Sequence, residues 1–538
     1  MSRKRWNGWG NEDSEYQSKL TDNLRQMLEA LVGEGHPLPD ATLEDVLETV
    51  PDSRAPDHPL LDRTAETRLR HARGQSLPDW LAVRSGAIGT FPDAVAVPET
   101  SAQVAELLRF AIDQDLTVIP YGGGTSVAGH INPEADARPV LTISLARLNR
   151  LIELDRESQL ATFGAGTVGP DLEAQLQAEG FTLGHYPQSW ELSTVGGWVA
   201  SRSSGQQSLR YGRIEQMFAG CTMETPAGTL EVPTFPASSA GPDVREMVLG
   251  SEGRMGIITE VKVRVTPLPE QESFHVHLFP DWERGTSAAR ELAQQKVPLS
   301  MVRLSNTLET ISLLHMGNDA DTVAELEAIL AAQGIGDEKV MLTLGVTGTA
   351  GQCRASLEQV AYCCQGFGGV EGAPEMGQRW EHGRFRAPYL REPLGMAGFA
   401  VDTRETAVDW VHVTQTMEQV ESAIREALGE EGVAVHVYSH LSHVYGQGSS
   451  VYTTYIFPYG DSYEATLARW QQLKAAGAQQ IVANGGTISH QHGVGRDHRQ
   501  YLPVEKGPLG IAAICSLCRL FDPGEHMNPG KLLPDSED

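Results

Sequence analysis

Three groups of residues in this chain have the types and spacing that chemistry needs. The first is Ser489-His490-Gln491-His492, inside the glycine-rich stretch ANGGTISHQHGVGRD. Drawn as an extended segment, it puts His490 and His492 on one face. A neutral imidazole takes up a proton near physiological pH, so such a pair suits proton transfer. His436, His440 and His443 add imidazoles in HVYSHLSHVYGQG, just ahead of Tyr452, whose phenol can relay a proton or donate to an oxyanion. Zinc is the competing use for this histidine set, but no carboxylate partner lies close in sequence, and no metal is expected. The second group is arginine. Arg303 in the apolar SMVRL and Arg391 in APYLREPLG can each grip a phosphate or carboxylate with two N–H groups. A structural ion pair is the competing role for each, because an unpaired guanidinium in an apolar setting is costly.

The third group is the main chain itself. Pro120-Tyr121-Gly122-Gly123-Gly124-Thr125-Ser126 follows the apolar run Leu116 to Ile119. Three consecutive glycines allow a tight turn whose N–H groups converge on an anion, and two hydroxyls follow. The stretch lacks the lysine of a Walker loop and is not G-x-G-x-x-G opening a helix. Three more glycine-rich loops occur at 185–205, 250–257 and 484–495. Four such loops without a magnesium or zinc motif point to a phosphate-bearing dinucleotide held at several points.

Elements must position these groups. Residues 1–86 read as an irregular and helical lead-in, with Trp6 and Trp9 as anchors and a short helix over Asp40–Val50 with Leu43, Val46, Leu47 and Val50 on one face. Residues 87–269 alternate strands (DAVAVP, LTVIP, PVLTISL, LIELD, LATFGAG) with helices. Thr100 and Gln103 fit a capping box, with Ser101 as the competing N-cap, and Gly169-Pro170-Asp171 opens a helix that runs toward Gly180. GHYPQSWELSTVGGWVASRSSGQQSLRYGRIEQM reads as one long functional loop. Residues 270–480 read as an α/β unit with an antiparallel sheet, and 481–538 as a histidine loop with a helical tail. Cys515 and Cys518, on an apolar helix, are expected to pack rather than bind metal.

The 538 residues carry a formal charge of -28 and a pI near 5.0. Such a surface repels nucleic acid and anionic lipid, so neither is expected as a general partner. No run is long enough for a transmembrane segment. The basic residues near Met1 have no apolar stretch behind them, and six cysteines are too few for a disulfide framework. A cytoplasmic location is expected.

Together these motifs resemble the alkylglycerone-phosphate synthase (alkyldihydroxyacetonephosphate synthase) family, FAD-binding flavoproteins of the vanillyl-alcohol oxidase type. The likeness runs from WNGWG through IPYGGGTSV, STVGGWVASRSSG, YGRIE, GSEGRMGIITE, SMVRL and PYLREPL to SHQHGVG. It implies an α+β fold: a two-subdomain FAD-binding domain plus a cap domain with an antiparallel sheet. It implies FAD held without a covalent link by Pro120, Tyr121, Gly122, Gly123, Gly124, Thr125, Ser126, His185, Gln188, Ser189, Ser193, Thr194, Gly197, Ser201, Ser204, Glu252, Gly253 and Ile258. Arg391 would bind a substrate phosphate with support from Arg303, while Tyr452, His490 and His492 move protons. The reaction implied exchanges the acyl chain of acyl dihydroxyacetone phosphate for a fatty alcohol. The alternative is a flavin-linked oxidase or dehydrogenase of a hydroxy acid or alcohol. A homodimer that touches a membrane surface transiently to reach its lipid is expected. One departure stands out: Gln491 occupies a position where the family carries histidine, and glutamine cannot act as a base.

Overall fold

The computed structural model describes residues 3–14 and 19–534. Three strands, Ala94–Ala96, Val140–Ser144 and Thr117–Tyr121, lie parallel in that spatial order, and Leu61–Asp62 pairs antiparallel at the edge. These strands are almost wholly buried, as a parallel sheet covered on both faces requires. Helix Ser101–Asp113 makes the crossover between the first and last of them. Its N-cap is Thr100, which accepts the N–H of Gln103 at 3.2 Å. The expected capping box is only half made, because the Gln103 side chain accepts from the N–H of Glu99 instead.

A second sheet of five antiparallel strands runs in the order Leu151–Asp155, Leu160–Gly164, Ile257–Arg264, Phe218–Thr225, Gly228–Val232. One core joins both sheets, built on Leu107, Phe163, Trp198, Phe218 and Val261. The long segment expected as a loop contains three short helices, of which Val195–Ser201 is the longest. Thr194 caps it, and its face of Val195, Trp198 and Val199 is drawn into that core. Helix Gly169–Gln177 stops short of Gly180, which follows in the left-handed region at φ 82°.

The third sheet has seven strands, all antiparallel: Val370–Glu371, Gln271–Phe279, Val340–Gly348, Met301–Ser305, His436–Leu441, Gly448–Pro458, Phe399–Asp409. Helices Trp282–Gln294, Ala350–Gly366 and Trp410–Glu426 supply its hydrophobic cover. The two-residue period of a strand then decides what faces the other way. Val302 and Leu304 enter the helix-covered core, while Met301 and Arg303 face a cavity. Val451, Tyr455 and Phe457 are core, while Tyr452, Thr454 and Ile456 face the cavity.

The lead-in forms a strap. Trp9 is buried against Trp80 and Leu192, and Trp6 packs against a neighbouring small core. Lys4 donates to the carbonyl of Gly123 at 2.6 Å, and Arg5 places both arms on Glu392 at 2.5 Å each. The expected short helix is Leu43–Glu48, with a complete capping box on Thr42 and Val46 as its buried residue. At the other end, helix Leu502–Phe521 kinks at Gly507 and Pro508. It carries Cys515 and the buried Cys518, both free thiols. Among the described residues no helix is long and apolar enough to cross a membrane, and no group of three metal-ligating side chains converges.

Candidate active site

A cavity of about 1230 Å³ begins at the glycine loop and passes under the seven-stranded sheet. At its first end the chain leaves strand Thr117–Tyr121 and turns through Gly122, Gly123 and Gly124, the last at φ 72°. A Cβ at Gly123 would run into the main chain of Leu192 and Ser193, and one at Gly122 would lie 2.5 Å from the Thr194 hydroxyl. The loop must therefore be glycine to pack against the 189–194 segment. Among the described residues, the main-chain N–H groups from Gly122 to Ser126 reach no protein acceptor. Donors in that density on a cavity wall match the needs of a diphosphate. The residues present thus fit a dinucleotide.

Each residue expected to touch the cofactor lines this cavity except His185. His185 is buried one layer behind the wall. Its Nε2 meets the Ser203 hydroxyl at 2.8 Å, its ring packs on Trp198, and burial pushes its pKa down to about 3. It positions Ser203, which does line the cavity. Glu252 lines the wall too, but its carboxylate faces elsewhere, accepting the N–H groups of Val494 at 2.5 Å and Gly495 at 2.8 Å. The adjacent turn thereby grips the histidine loop.

The middle of the cavity is polar. Tyr452 stacks on His440 at 5.0 Å, donates its hydroxyl to Thr403 at 3.1 Å, and presents an edge to His492. Burial raises its phenol to about 12. The main-chain N–H groups of Gln491 and His492 both donate to Glu405 Oε1 at 2.8 Å, and the same oxygen lies 3.2 Å from His492 Nδ1. Burial lowers the His492 pKa and Glu405 opposes that, which leaves an oriented neutral base. Arg391 also lines the wall, donating to the Gln75 carbonyl at 2.6 Å and to Asp402 at 3.3 Å. Arg303 is there as well, but its guanidinium is paired with buried Glu309 at 2.7 Å. His440 reaches that same carboxylate oxygen at 2.9 Å. Arg303 and His440 hold Glu309 ionised, with its pKa down to about 2 despite burial.

The histidine loop is not extended, and it separates its two imidazoles. His492 faces the main cavity. His490 faces a second cavity of about 620 Å³ behind the loop. There His490 Nε2 meets Arg213 and the Tyr445 hydroxyl, each at 2.7 Å, and burial drives its pKa well below the usual value. Gln491 stands between, on the wall of both.

An arm of the cavity is lined by Leu313, Leu314, Leu326, Met341 and Met376, with half-exposed Ile329 and the polar Asn318, Thr322 and Glu325 also on its wall. The sequence analysis did not single out Asp402, Glu405, Lys474, His130 or Arg213. Arg213 lies within the motif YGRIE, but no motif marks the other four.

Two family models match the chain: the FAD binding domain over residues 92–232, and the C-terminal domain of FAD linked oxidases over 268–532. The alkyldihydroxyacetonephosphate synthase of Trypanosoma brucei brucei is 30% identical over 569 residues, covering 98% of this chain and 92% of that protein. A crystal structure of an alkyldihydroxyacetonephosphate synthase superposes with a TM-score of 0.82 at 25% identity, covering 98% of both chains. That of p-cresol methylhydroxylase with substrate bound superposes at 0.68 and 14% identity, covering 94% of this chain and all of that one, a likeness of fold.

Proposed function

Because this chain belongs to the alkyldihydroxyacetonephosphate synthase family, we propose that it is an FAD-dependent enzyme of ether-lipid synthesis. It exchanges the acyl group of an acyl dihydroxyacetone phosphate for a long-chain alcohol. The alcohol oxygen takes the place of the acyloxy group, a fatty acid leaves, and no electrons are gained or lost overall. One observation carries this reading: a single cavity joins the donor-rich glycine loop to an arm rich in leucine and methionine through a waist holding Arg391, Tyr452 and His492. A hydroxy acid needs only a small polar pocket, and the leucines and methionines on this wall suit an apolar chain instead.

When bound, the flavin supplies a nucleophilic ring nitrogen. The N–H groups from Gly122 to Ser126 would hold its diphosphate, and Gln188, Ser193, Thr194 and Ser204 would line its path. Non-covalent attachment is supported by the lack of a histidine in 120–126 and, among the described residues, of a cysteine on the cavity wall. Arg391 binds the substrate phosphate with donors left over from Gln75 and Asp402. His492, neutral and aimed by Glu405, takes the proton of the incoming alcohol. Tyr452 donates to the oxygen that departs. Arg303 positions the waist through Glu309 and His440 rather than through a free guanidinium. His490 braces the loop from behind. Apolar chains lie along Leu313, Leu326 and Met376.

The test supplies FAD-loaded protein with acyl dihydroxyacetone phosphate and labelled hexadecanol, without oxidant. Labelled alkyl dihydroxyacetone phosphate and free fatty acid should appear in equal amounts. No ether product, together with anaerobic bleaching of the flavin by a hydroxy acid, would overturn the reading in favour of an oxidase.

A further inference from the structure

Two cations on the cavity wall share one carboxylate. Asp402, buried on strand Phe399–Asp409, accepts Arg391 at 3.3 Å through Oδ1 and Lys474 at 3.2 Å through Oδ2. The Trp470 indole at 2.6 Å and the Tyr455 hydroxyl at 3.3 Å complete its shell. Lys474 gives a second N–H to the Thr403 carbonyl at 2.8 Å. An ammonium has three N–H donors and a guanidinium five, so both cations keep donors in reserve. Arg391, Lys474 and Asp402 all line the cavity, beside His492 and His498.

The surroundings add positive charge. Arg404, two residues along the strand, is 2% exposed, and its three nitrogens have no protein acceptor among the described residues. The Tyr501 ring lies 5.9 Å from its guanidinium. Its charge acts on Lys474 and on His498, whose Nε2 is likewise buried without a partner. Arg391, Lys474 and Arg404 thus stand among Asp402, Glu405 and Asp497, and burial raises Asp497 to about 6. Asp79 and Arg496, which also act on Asp497, carry opposite charges. Like charges gathered in a buried place are unfavourable unless an anion joins them.

We propose that Lys474 is the second cation of the anion subsite: Arg391 and Lys474, spaced by Asp402, take a phosphomonoester dianion at two points with the donors Asp402 leaves free, and Arg404 behind them adds to the positive field. The inference rests on the reading in which Arg391 meets the substrate phosphate. A purely structural lysine, paired with Asp402 and nothing else, would lower stability on removal without changing anion affinity.

The experiment titrates FAD-loaded enzyme with inorganic phosphate by calorimetry, without turnover. The parent should bind one phosphate. Lys474→Gln should weaken binding at least tenfold at unchanged flavin content, and Lys474→Arg should restore most of it. Should Lys474→Gln fail to fold, Lys474→Arg and Arg404→Met carry the test, the latter expected to weaken phosphate binding severalfold. A parent that binds no phosphate, or a folded Lys474→Gln that binds it as the parent does, overturns the inference. The two readings fail separately. Lys474-dependent phosphate binding without ether product sinks the transferase and leaves the subsite. Ether synthesis by Lys474→Gln at an unchanged KM for the phosphorylated substrate sinks the subsite and leaves the transferase.

Discussion

Glu405 holds His492 at two points: one carboxylate oxygen accepts the residue's main-chain N–H at 2.8 Å and lies 3.2 Å from its ring Nδ1. A base that is both buried and aimed needs such a partner. The carboxylate fixes the tautomer and leaves Nε2 with the free lone pair. His492→Gln should lower kcat by roughly 10²- to 10⁴-fold, the usual worth of a positioned proton acceptor. Glu405→Gln should cost less. Since Glu405 raises the His492 pKa against burial, its loss should also move the acidic limb of the pH–rate profile to lower pH. A Glu405→Gln profile that keeps the parent's limb would remove Glu405 from this role.

The leucine-lined arm should measure chain length. Leu326 lines it and packs with Leu313, Met341 and Met376. Leu326→Trp is expected to cut kcat/KM for a sixteen-carbon acyl substrate by about tenfold, an energy on the order of 1–2 kcal/mol, and to spare a short-chain one. Equal losses for both lengths would place the chains elsewhere.

The strap should slow cofactor loss. Arg5 and Glu392 form a bidentate pair that is only partly exposed. Arg5→Gln should therefore weaken the closed state by about 1 kcal/mol and speed flavin release about fivefold. Flavin fluorescence after dilution reads this directly. An unchanged release rate would mean that the strap does not guard the cleft.

Acid should unfold the protein steeply. Burial depresses His71 and His436 to about 4, and His185 and His443 to about 3. The unfolded chain binds protons at these positions below about pH 6.5, where the folded chain does not. Their contribution is therefore fully present above pH 6.5 and is lost as pH falls toward 4. At pH 5.5 each such site gives up on the order of 1 kcal/mol. Denaturant midpoints between pH 7 and 5 should fall accordingly, and a flat profile would contradict the buried neutral imidazoles.

What the sequence made legible were residues whose type is forced. Gly122 and Gly123 had to be glycine because the 189–194 segment leaves no room for a Cβ, and a run of glycines is visible without a structure. Strands such as Thr117–Tyr121 announced themselves by apolar runs between turn residues. Asp402, Glu405 and Lys474 did not, because a carboxylate on a strand or a lysine on a helix is ordinary until the fold turns it inward. The placing of His490 and His492 on one face assumed an extended segment. Glu405 draws in two consecutive N–H groups and coils the loop, and that coiling sends the rings apart. His185 looked like a wall residue by its place in the motif, but its ring went under the wall to meet Trp198.

Glu252 sits in the turn at 250–257 on the cavity wall, yet its two oxygens close on the main chain of Val494 and Gly495, just past His492. Glu252 thus fastens the histidine loop to the turn at 250–257, alongside Arg213 on His490 and the Ala128 carbonyl on Arg496. A chain that misfolds around residues 250–257 would present a slack histidine loop as well as a poor cleft, so faulty copies would be silent rather than wrongly active.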